Sequence, residues 1–480
     1  MRNVSTSISF RDPAGFLVKK DDRIFRIIST ESAEDLKDFL KSNAAASYLK
    51  SGAIVSTTFL DPATGTDLTL PKLNDDRQSI VIEHKRIRFV SYPYEWAPEM
   101  LHAAALLTLN LSTDALNEGF GLKDATPYNV LFEGADPVFV DLLSFERRDR
   151  HDPTWLPYAQ FIRTFLLPLL LNKHFELPIN DLLINNRDGI EPEQAFRLLG
   201  VRQKLMPEFL TVVSLPTWLG GKKKKDEGQL YSKRSLQNEE QARFILERLL
   251  KGLKRRLQGA QPARRQSGWT DYMEKNRYTD KYFPEKEAFV SEALAESRPE
   301  QVLDVGCNTG FFSELAAGLG ARVVAIDSDP AVVGMVWDRA QSEKLDIQPL
   351  VVDLTRPTPP TGWRNEECSS FLQRARGSFD AVLMLAVIHH MLVTERIPLN
   401  EILRLASELT KSSLIVEFIA PTDAMFKVLT RGRDELHKDL SVENFERSAS
   451  QFFELVRSSR LGESDRWIYF LRKKEAPGHA

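Results

Sequence analysis

A chain of 480 residues is too long for one hydrophobic core, so two or three domains are expected. With 42% hydrophobic and 27% charged residues it has the balance of a soluble globular protein, and a net charge of −3 argues against a whole-chain nucleic-acid binder. Two cysteines, Cys307 and Cys368, are too few for a disulfide framework or a cysteine-rich zinc site, which points to a reducing cytoplasm.

The first ten residues lack the apolar core of a signal peptide. Phe16–Val18 and Ile24–Ile28 are short apolar runs around Lys20-Asp21-Asp22, a hairpin signal. Helical spacing follows over Ala33–Tyr48, then a second expected strand pair, Ile80–Glu83 and Ile87–Val90. Pro98–Leu116 is expected to be a helix with Leu101, Ala104, Leu107 and Leu111 on one face. Gly121–Phe132 (G-L-K-D-A-T-P-Y-N-V-L-F) and Pro137–Leu143 (P-V-F-V-D-L-L) then read as a hairpin carrying Asp124, Asn129 and Asp141.

This order resembles the kinase-like fold, in particular small-molecule kinases of the aminoglycoside phosphotransferase type. Asp124-Ala-Thr-Pro-Tyr-Asn129 has the D-x-x-x-x-N spacing of their catalytic loop, and Asp141 falls where the metal-binding Asp stands. The resemblance implies Asp124 as the base and Mg²⁺ held by Asn129 and Asp141. The sequence departs at Leu122-Lys123 and at Leu142-Leu143, and no glycine-rich phosphate loop is evident. The alternative is a polar loop whose Asp and Asn side chains cap turns.

Residues 150–260 are expected to be mainly helical. The apolar run Phe161–Leu171 holds Arg163 and Pro168 and is short of the ~20 residues of a membrane span, so it reads as a buried helix kinked at the proline. Glu191–Leu199 and Ala242–Leu257 are further helices. Lys222–Lys225 reads as a solvated loop, with an anionic partner as the alternative, and the basic stretch Lys251–Arg265 is a weak nucleic-acid hint. The division expected is an N-terminal α+β domain over 1–257 (β-rich to 90, helical after), a polar linker over 258–268, and a second domain over 269–480.

In that second domain short apolar strands alternate with helices: Gln301–Val305, Arg322–Asp327, Ile347–Asp353, Phe379–Ala386 and Ser413–Phe418, with Phe453–Arg457 and Trp467–Arg472 as a closing hairpin. That is an α/β fold with a mostly parallel, Rossmann-like sheet. In Q-V-L-D-V-G-C-N-T-G the acid Asp304 stands beside a glycine turn, a setting that suits a cationic or hydroxyl-bearing ligand and repels a pyrophosphate.

The segment Pro299–Lys474 resembles class I S-adenosylmethionine-dependent methyltransferases, through V-L-D-V-G-C-N-T-G, Asp327 ending the second strand, V-V-D-L at Val351–Leu354, F-D-A-V-L-M-L-A-V-I-H-H at Phe379–His390, and the hairpin. Its G-W-R-N-E insertion and H-H segment also resemble a long bacterial methyltransferase group labelled nodulation-associated. The resemblance implies S-adenosylmethionine as cofactor. Asp304 would meet its ammonium and Asp327 its ribose hydroxyls. Asp353 and Leu354 would meet its adenine, and Gly306, Cys307, Asn308, Gly310, Ser328 and Leu385 would line the site. Asp327 has the alternative of capping the next helix. NAD does not fit, because G-x-G-x-x-G is absent.

His389 and His390 are candidates for a base, or pack the strand–helix turn. Glu417, expected at the end of the fifth strand, is a further site-facing carboxylate. No metal is expected in this domain. The insertion Pro357–Gly377, with Trp363, Arg364, Phe371, Arg374 and Arg376, and the segment after Glu417 are candidate acceptor walls. No N-P-P-Y signature follows the fourth strand, so a small-molecule acceptor is favoured over protein or nucleic acid. Two other readings remain: a bifunctional protein with a phosphotransferase half, and a docking protein that binds cofactor without turnover.

Overall fold

The computed structural model describes residues 5–6, 12, 14–61, 79–220, 235–263 and 282–475. The tetralysine, residues 264–268 of the expected linker and the aromatics Trp269, Tyr272 and Tyr278 lie outside them. The chain forms two compact units, Met1–Ala263 and Arg264–Ala480.

The first unit opens with an antiparallel sheet of β1 (Ser5–Thr6), β2 (Gly15–Lys20), β3 (Arg23–Ser29), β4 (Thr57–Phe59) and β5 (Ser79–His84), in the order β1-β2-β3-β5-β4. The β2–β3 turn works because Asp21 and Asp22 adopt positive φ (48° and 63°), which short polar side chains tolerate. Val18, Phe25 and Ile27 form the core on one face. Two expectations are corrected here. Ala33–Tyr48 is two helices, α1 (Thr30–Leu40) and α2 (Asn43–Ser51), because the Ser42 hydroxyl accepts from the Ala45 N–H and starts a new helix. Ile87–Val90 is not a strand; β5 pairs instead with β3 and β4.

Next comes α3 (Pro98–Asn117), which buries Met100, Leu101, Ala104, Leu107, Leu109 and Leu111. β6 (Phe120–Leu122) pairs with β9 (Phe145–Arg147), and β7 (Val130–Glu133) with β8 (Asp136–Phe139). The apolar run stays helical through Pro168: a π-helical turn over Ile162–Leu166 precedes it, and the proline falls in the first turn of Leu167–Phe175, where its missing N–H costs little. The helix α4 (Glu239–Gly259) extends two residues into the expected linker. It buries Ala242, Leu246, Leu250, Leu253 and Leu257 at helical spacing.

The second unit is a seven-stranded sheet in the order β12-β11-β10-β13-β14-β16-β15. The first five are parallel: β12 (Ile347–Val351), β11 (Arg322–Asp327), β10 (Gln301–Val305), β13 (Phe379–Met384) and β14 (Thr410–Ile419). The closing hairpin, β15 (Phe453–Arg460) and β16 (Arg466–Lys473), is antiparallel, with β16 against β14. Helices α5 (Phe283–Ser297), α6 (Phe311–Gly318), α7 (Pro330–Glu343), α8 (Ile388–Val393) and α9 (Leu399–Leu409) accompany it. Nearly every residue of β10, β12 and β13 is buried, as strands covered on both faces require. The strand order reverses between β10 and β13, and ligands in such sheets bind in the crevice beyond that point.

Candidate active site

At the switch point the chain leaves β10 through Gly306, Cys307, Asn308, Thr309 and Gly310 into α6. Gly306, Asn308 and Gly310 all have positive φ (69°, 48° and 87°). The N–H groups of Gly306 and Cys307 donate to the Ile326 carbonyl at 2.9 and 3.0 Å, tying the turn to β11. A Cβ on Gly310 would stand 2.9 Å from Val336 Cγ2 on α7, so only glycine lets the turn lie so close. The Cys307 thiol is buried and held well above its ordinary pKa by that burial, which makes it unreactive.

Three adjacent strands end at acids. Asp327 closes β11, with Oδ2 accepting from the Asn308 N–H and Oδ1 from the Asp329 N–H, both at 3.0 Å. It is not a helix cap: Asp329 caps α7, accepting from the Ala331 N–H. Asp304 on β10 is 3% exposed and accepts from the Ser313 hydroxyl at 2.6 Å. Burial pushes its carboxyl up to about 6; the Ser313 bond opposes this, the Asp327 charge adds to it and the Lys286 charge opposes it. Asp353, two residues past β12, accepts from the N–H and hydroxyl of Thr355 at 2.9 and 2.5 Å. The Val352 N–H donates to the Asp327 carbonyl at 2.8 Å and links those two strand ends. Leu354 and Leu385 are buried beside them, and Ser328 is exposed.

These donors and acceptors fit the expected cofactor. An acid buried to a pKa near 6 gains from a neighbouring ammonium, and a backbone-anchored carboxylate at a strand end suits a pair of hydroxyls.

On the other side of the switch point, α8 carries His389 and His390, their ring centroids 4.2 Å apart. His389 is buried, and its Nδ1 has no hydrogen-bond partner among the described residues. Burial, then His390, Arg466 and Lys286, lower its pKa to about 3, and burial lowers that of His390. The His389 ring is therefore neutral at physiological pH.

Glu417 corrects its expectation. It lies inside β14, two residues before the strand ends, fully buried, with Oε2 2.6 Å from Lys286 Nζ and Oε1 3.8 Å from Arg466. Arg466 also pairs with Asp423 at 3.0 Å. Glu417 is thus an ion-paired interior carboxylate, and Lys286 and Arg466 are the residues that sequence reasoning missed. In the insertion, Arg374 donates to the Ser369 and Ser370 carbonyls and Arg376 pairs with Glu408 at 3.0 Å, while Trp363 is exposed.

In the first unit Asn129 and Asp141 converge through Ser144, whose hydroxyl lies 3.3 Å from Asn129 Nδ2 and donates to Asp141 Oδ2 at 2.5 Å. Asp141 Oδ1 is taken by Arg26 at 2.6 Å, and the same buried guanidinium pairs with Asp12. Burial opposes ionisation of Asp141, but Arg26 and Ser144 outweigh it and hold the carboxyl below its ordinary pKa. The Asp124 carbonyl accepts from Asn129 Nδ2 at 3.4 Å, while its side chain is exposed and accepts from Gln160 Nε2 at 3.4 Å. Among the described residues no group of three or more His, Cys, Asp and Glu could hold a metal ion.

Residues 303–408 match the family model described as a methyltransferase domain. The nodulation protein NoeA of Rhizobium meliloti (strain 1021) is 30% identical over 473 residues, covering 97% of this chain and 96% of that protein. The chain belongs to the NoeA family. A ubiquinone biosynthesis O-methyltransferase of Caulobacter vibrioides is 30% identical over 128 residues, 27% of this chain and 43% of that one. Among solved structures, the N-methyltransferase NodS from Bradyrhizobium japonicum WM9 in complex with S-adenosyl-L-homocysteine is 16% identical, with a TM-score of 0.31 over 41% of this chain and 89% of that chain. The second unit of this NoeA-family chain is a class I S-adenosylmethionine-dependent methyltransferase, and S-adenosylmethionine is its cofactor. No helix among the described residues is long and apolar enough to cross a membrane.

Proposed function

We propose that this methyltransferase acts in the cytoplasm on a small-molecule hydroxyl or amine, and that the site around Gly306–Gly310 holds its cofactor. The observation that carries the cofactor assignment is the row of acids Asp304, Asp327 and Asp353 at three neighbouring strand ends around one positive-φ turn. Asp327 accepts from the ribose hydroxyls, Asp304 meets the ammonium, and Asp353 with Leu354 meets the adenine. Gly306, Cys307, Asn308, Gly310, Ser328 and Leu385 line the remainder. When bound, the cofactor supplies an electron-poor methyl group on a sulfonium. The residues' task is then alignment.

His389 holds the acceptor through its unpartnered Nδ1. A neutral ring with a pKa near 3 is a weak base, so it orients the nucleophile more than it deprotonates it. His390 packs against it. A small-molecule acceptor is supported by the relatives that are ubiquinone biosynthesis O-methyltransferases. Two free, buried cysteines support a reducing compartment. The N-terminal unit serves recognition or regulation; against a phosphotransferase role stands the engagement of both Asp141 oxygens by Arg26 and Ser144.

The experiment is to incubate the full chain with radiolabelled methyl donor and cell extract, then separate small molecules, protein and nucleic acid. Label in the small-molecule fraction is expected. Label in protein or nucleic acid overturns the acceptor class, and no label in any fraction overturns turnover.

A further inference from the structure

We propose that Lys286 is a cofactor-binding residue whose ammonium receives the carboxylate of the amino-acid head, opposite Asp304, which receives the head's ammonium. This rests on the cofactor site described above and adds the group that site lacks. The residues read from the strand ends include three acids and no base, yet the head of the cofactor is zwitterionic. A buried carboxylate among acids alone is strongly disfavoured.

The geometry supplies the missing charge. Lys286 lies in the first turn of α5, its side chain only 14% exposed. Its Nζ stands 5.2 Å from the ring centroid of Phe312, the second residue of α6, which begins at the Gly310 turn. Phe283 of the same helix packs edge-on against Phe311, 4.9 Å between centroids, and holds α5 over the start of α6. A helix start carries the positive end of the helix dipole, so a carboxylate placed there gains from both the dipole and the lysine. The ammonium has three N–H donors, and Glu417 accepts one at 2.6 Å. Glu417 also has Arg466 within 3.8 Å, so a second acceptor on Lys286 does not strand a buried carboxylate. The Lys286 charge also acts on both Asp304 and His389, opposing the rise of the first and adding to the fall of the second.

The test uses two ligands that share the nucleoside and the thioether. S-adenosylhomocysteine carries the amino-acid head; 5′-methylthioadenosine lacks it. Affinities for the full chain and for Lys286→Met and Lys286→Arg are measured by calorimetry. For Lys286→Met, S-adenosylhomocysteine is expected to weaken by ~10-fold or more, the scale of one charge-assisted hydrogen bond, with methylthioadenosine within about twofold of wild type. Lys286→Arg is expected to recover most of the loss. An unchanged S-adenosylhomocysteine affinity in Lys286→Met overturns the proposal. So does an equal loss for both ligands when Lys286→Arg fails to restore either, since that marks a packing role. If the wild-type chain binds neither ligand, the cofactor site itself is misassigned and this inference falls with it.

Discussion

The backbone N–H of Asn308 donates to Asp327 Oδ2 at 3.0 Å. The carboxylate at the end of β11 thereby fixes the glycine turn that leaves β10, and under the proposed assignment the same side chain also meets the ligand. Asp327→Ala removes both contributions, and S-adenosylhomocysteine affinity is expected to fall by about 100-fold, the sum of two charge-assisted bonds. Asp327→Asn keeps an acceptor oxygen and loses less. Calorimetric titration checks this, and unchanged affinity in Asp327→Ala removes the residue from the site.

Two glycines with nearly the same backbone angle separate strain from crowding. Gly310 (φ 87°) would place a Cβ against Val336, whereas Gly320 (φ 94°) has open space around it. Gly320→Ala is expected to cost about 1–2 kcal/mol, the price of left-handed backbone alone. Gly310→Ala adds a steric clash between α7 and the turn, so it should melt lower and lose ligand affinity. Equal melting temperatures in the two variants would contradict the packing described.

Asp304 gives the second unit a signature in pH. Its folded pKa, about 6, lies above the ordinary 3.8, so the native state binds the proton more tightly than the unfolded chain does. Its contribution is fully favourable below about pH 4, is lost as pH rises through 6, and stays level above that; the difference amounts to about 3 kcal/mol. Asp304→Asn lacks this slope. Thermal unfolding from pH 4 to 8 should show the variant gaining on wild type as pH rises. His389 slopes the other way, its depressed pKa costing stability as pH falls from 6.5 towards 3, and comparison with Asp304→Asn cancels that term.

In the N-terminal unit the Arg26 guanidinium pairs with the carboxylates of both Asp12 and Asp141, so that its positive charge already neutralises the two acids. Wild-type melting is therefore expected to be the same with Mg²⁺ and with EDTA. Arg26→Met leaves two carboxylates facing each other and should cost about 3 kcal/mol, the penalty for breaking a buried pair. Added Mg²⁺ should restore part of that loss. A Mg²⁺-dependent rise in the wild-type melting temperature would show that the arginine yields its place.

The methyltransferase sheet was legible because its signals are local. Apolar β-branched runs, a turn needing glycine, and acids at the ends of β10, β11 and β12 all fall within a few residues of one another, and each strand appears where those runs predict it. What escaped depends on distance along the chain. Lys286 and Glu417 are 131 residues apart, and nothing near either residue announces the other. Arg26 meets Asp141 across 115 residues, which is why the D-x-x-x-x-N spacing could be read while the cation that occupies Asp141 could not. The short strand Thr57–Phe59 failed for a different reason: three residues carry too little alternation, and its pairing with β5 decides its state. Likewise the break at Ser42 rests on one hydroxyl that also suits a helix interior.

The position of β16 bears on how the protein is made. During synthesis β14 emerges with its outer edge open, and β15, the next strand of the sheet in the chain, does not cover it; β16 must appear before the two can be joined. Until Arg466–Lys473 leaves the ribosome, the apolar edge of β14 can pair with any passing strand. The methyltransferase unit is thus completed from its far end, and chains cut short before Arg466 should collect as aggregates rather than as weakly active enzyme.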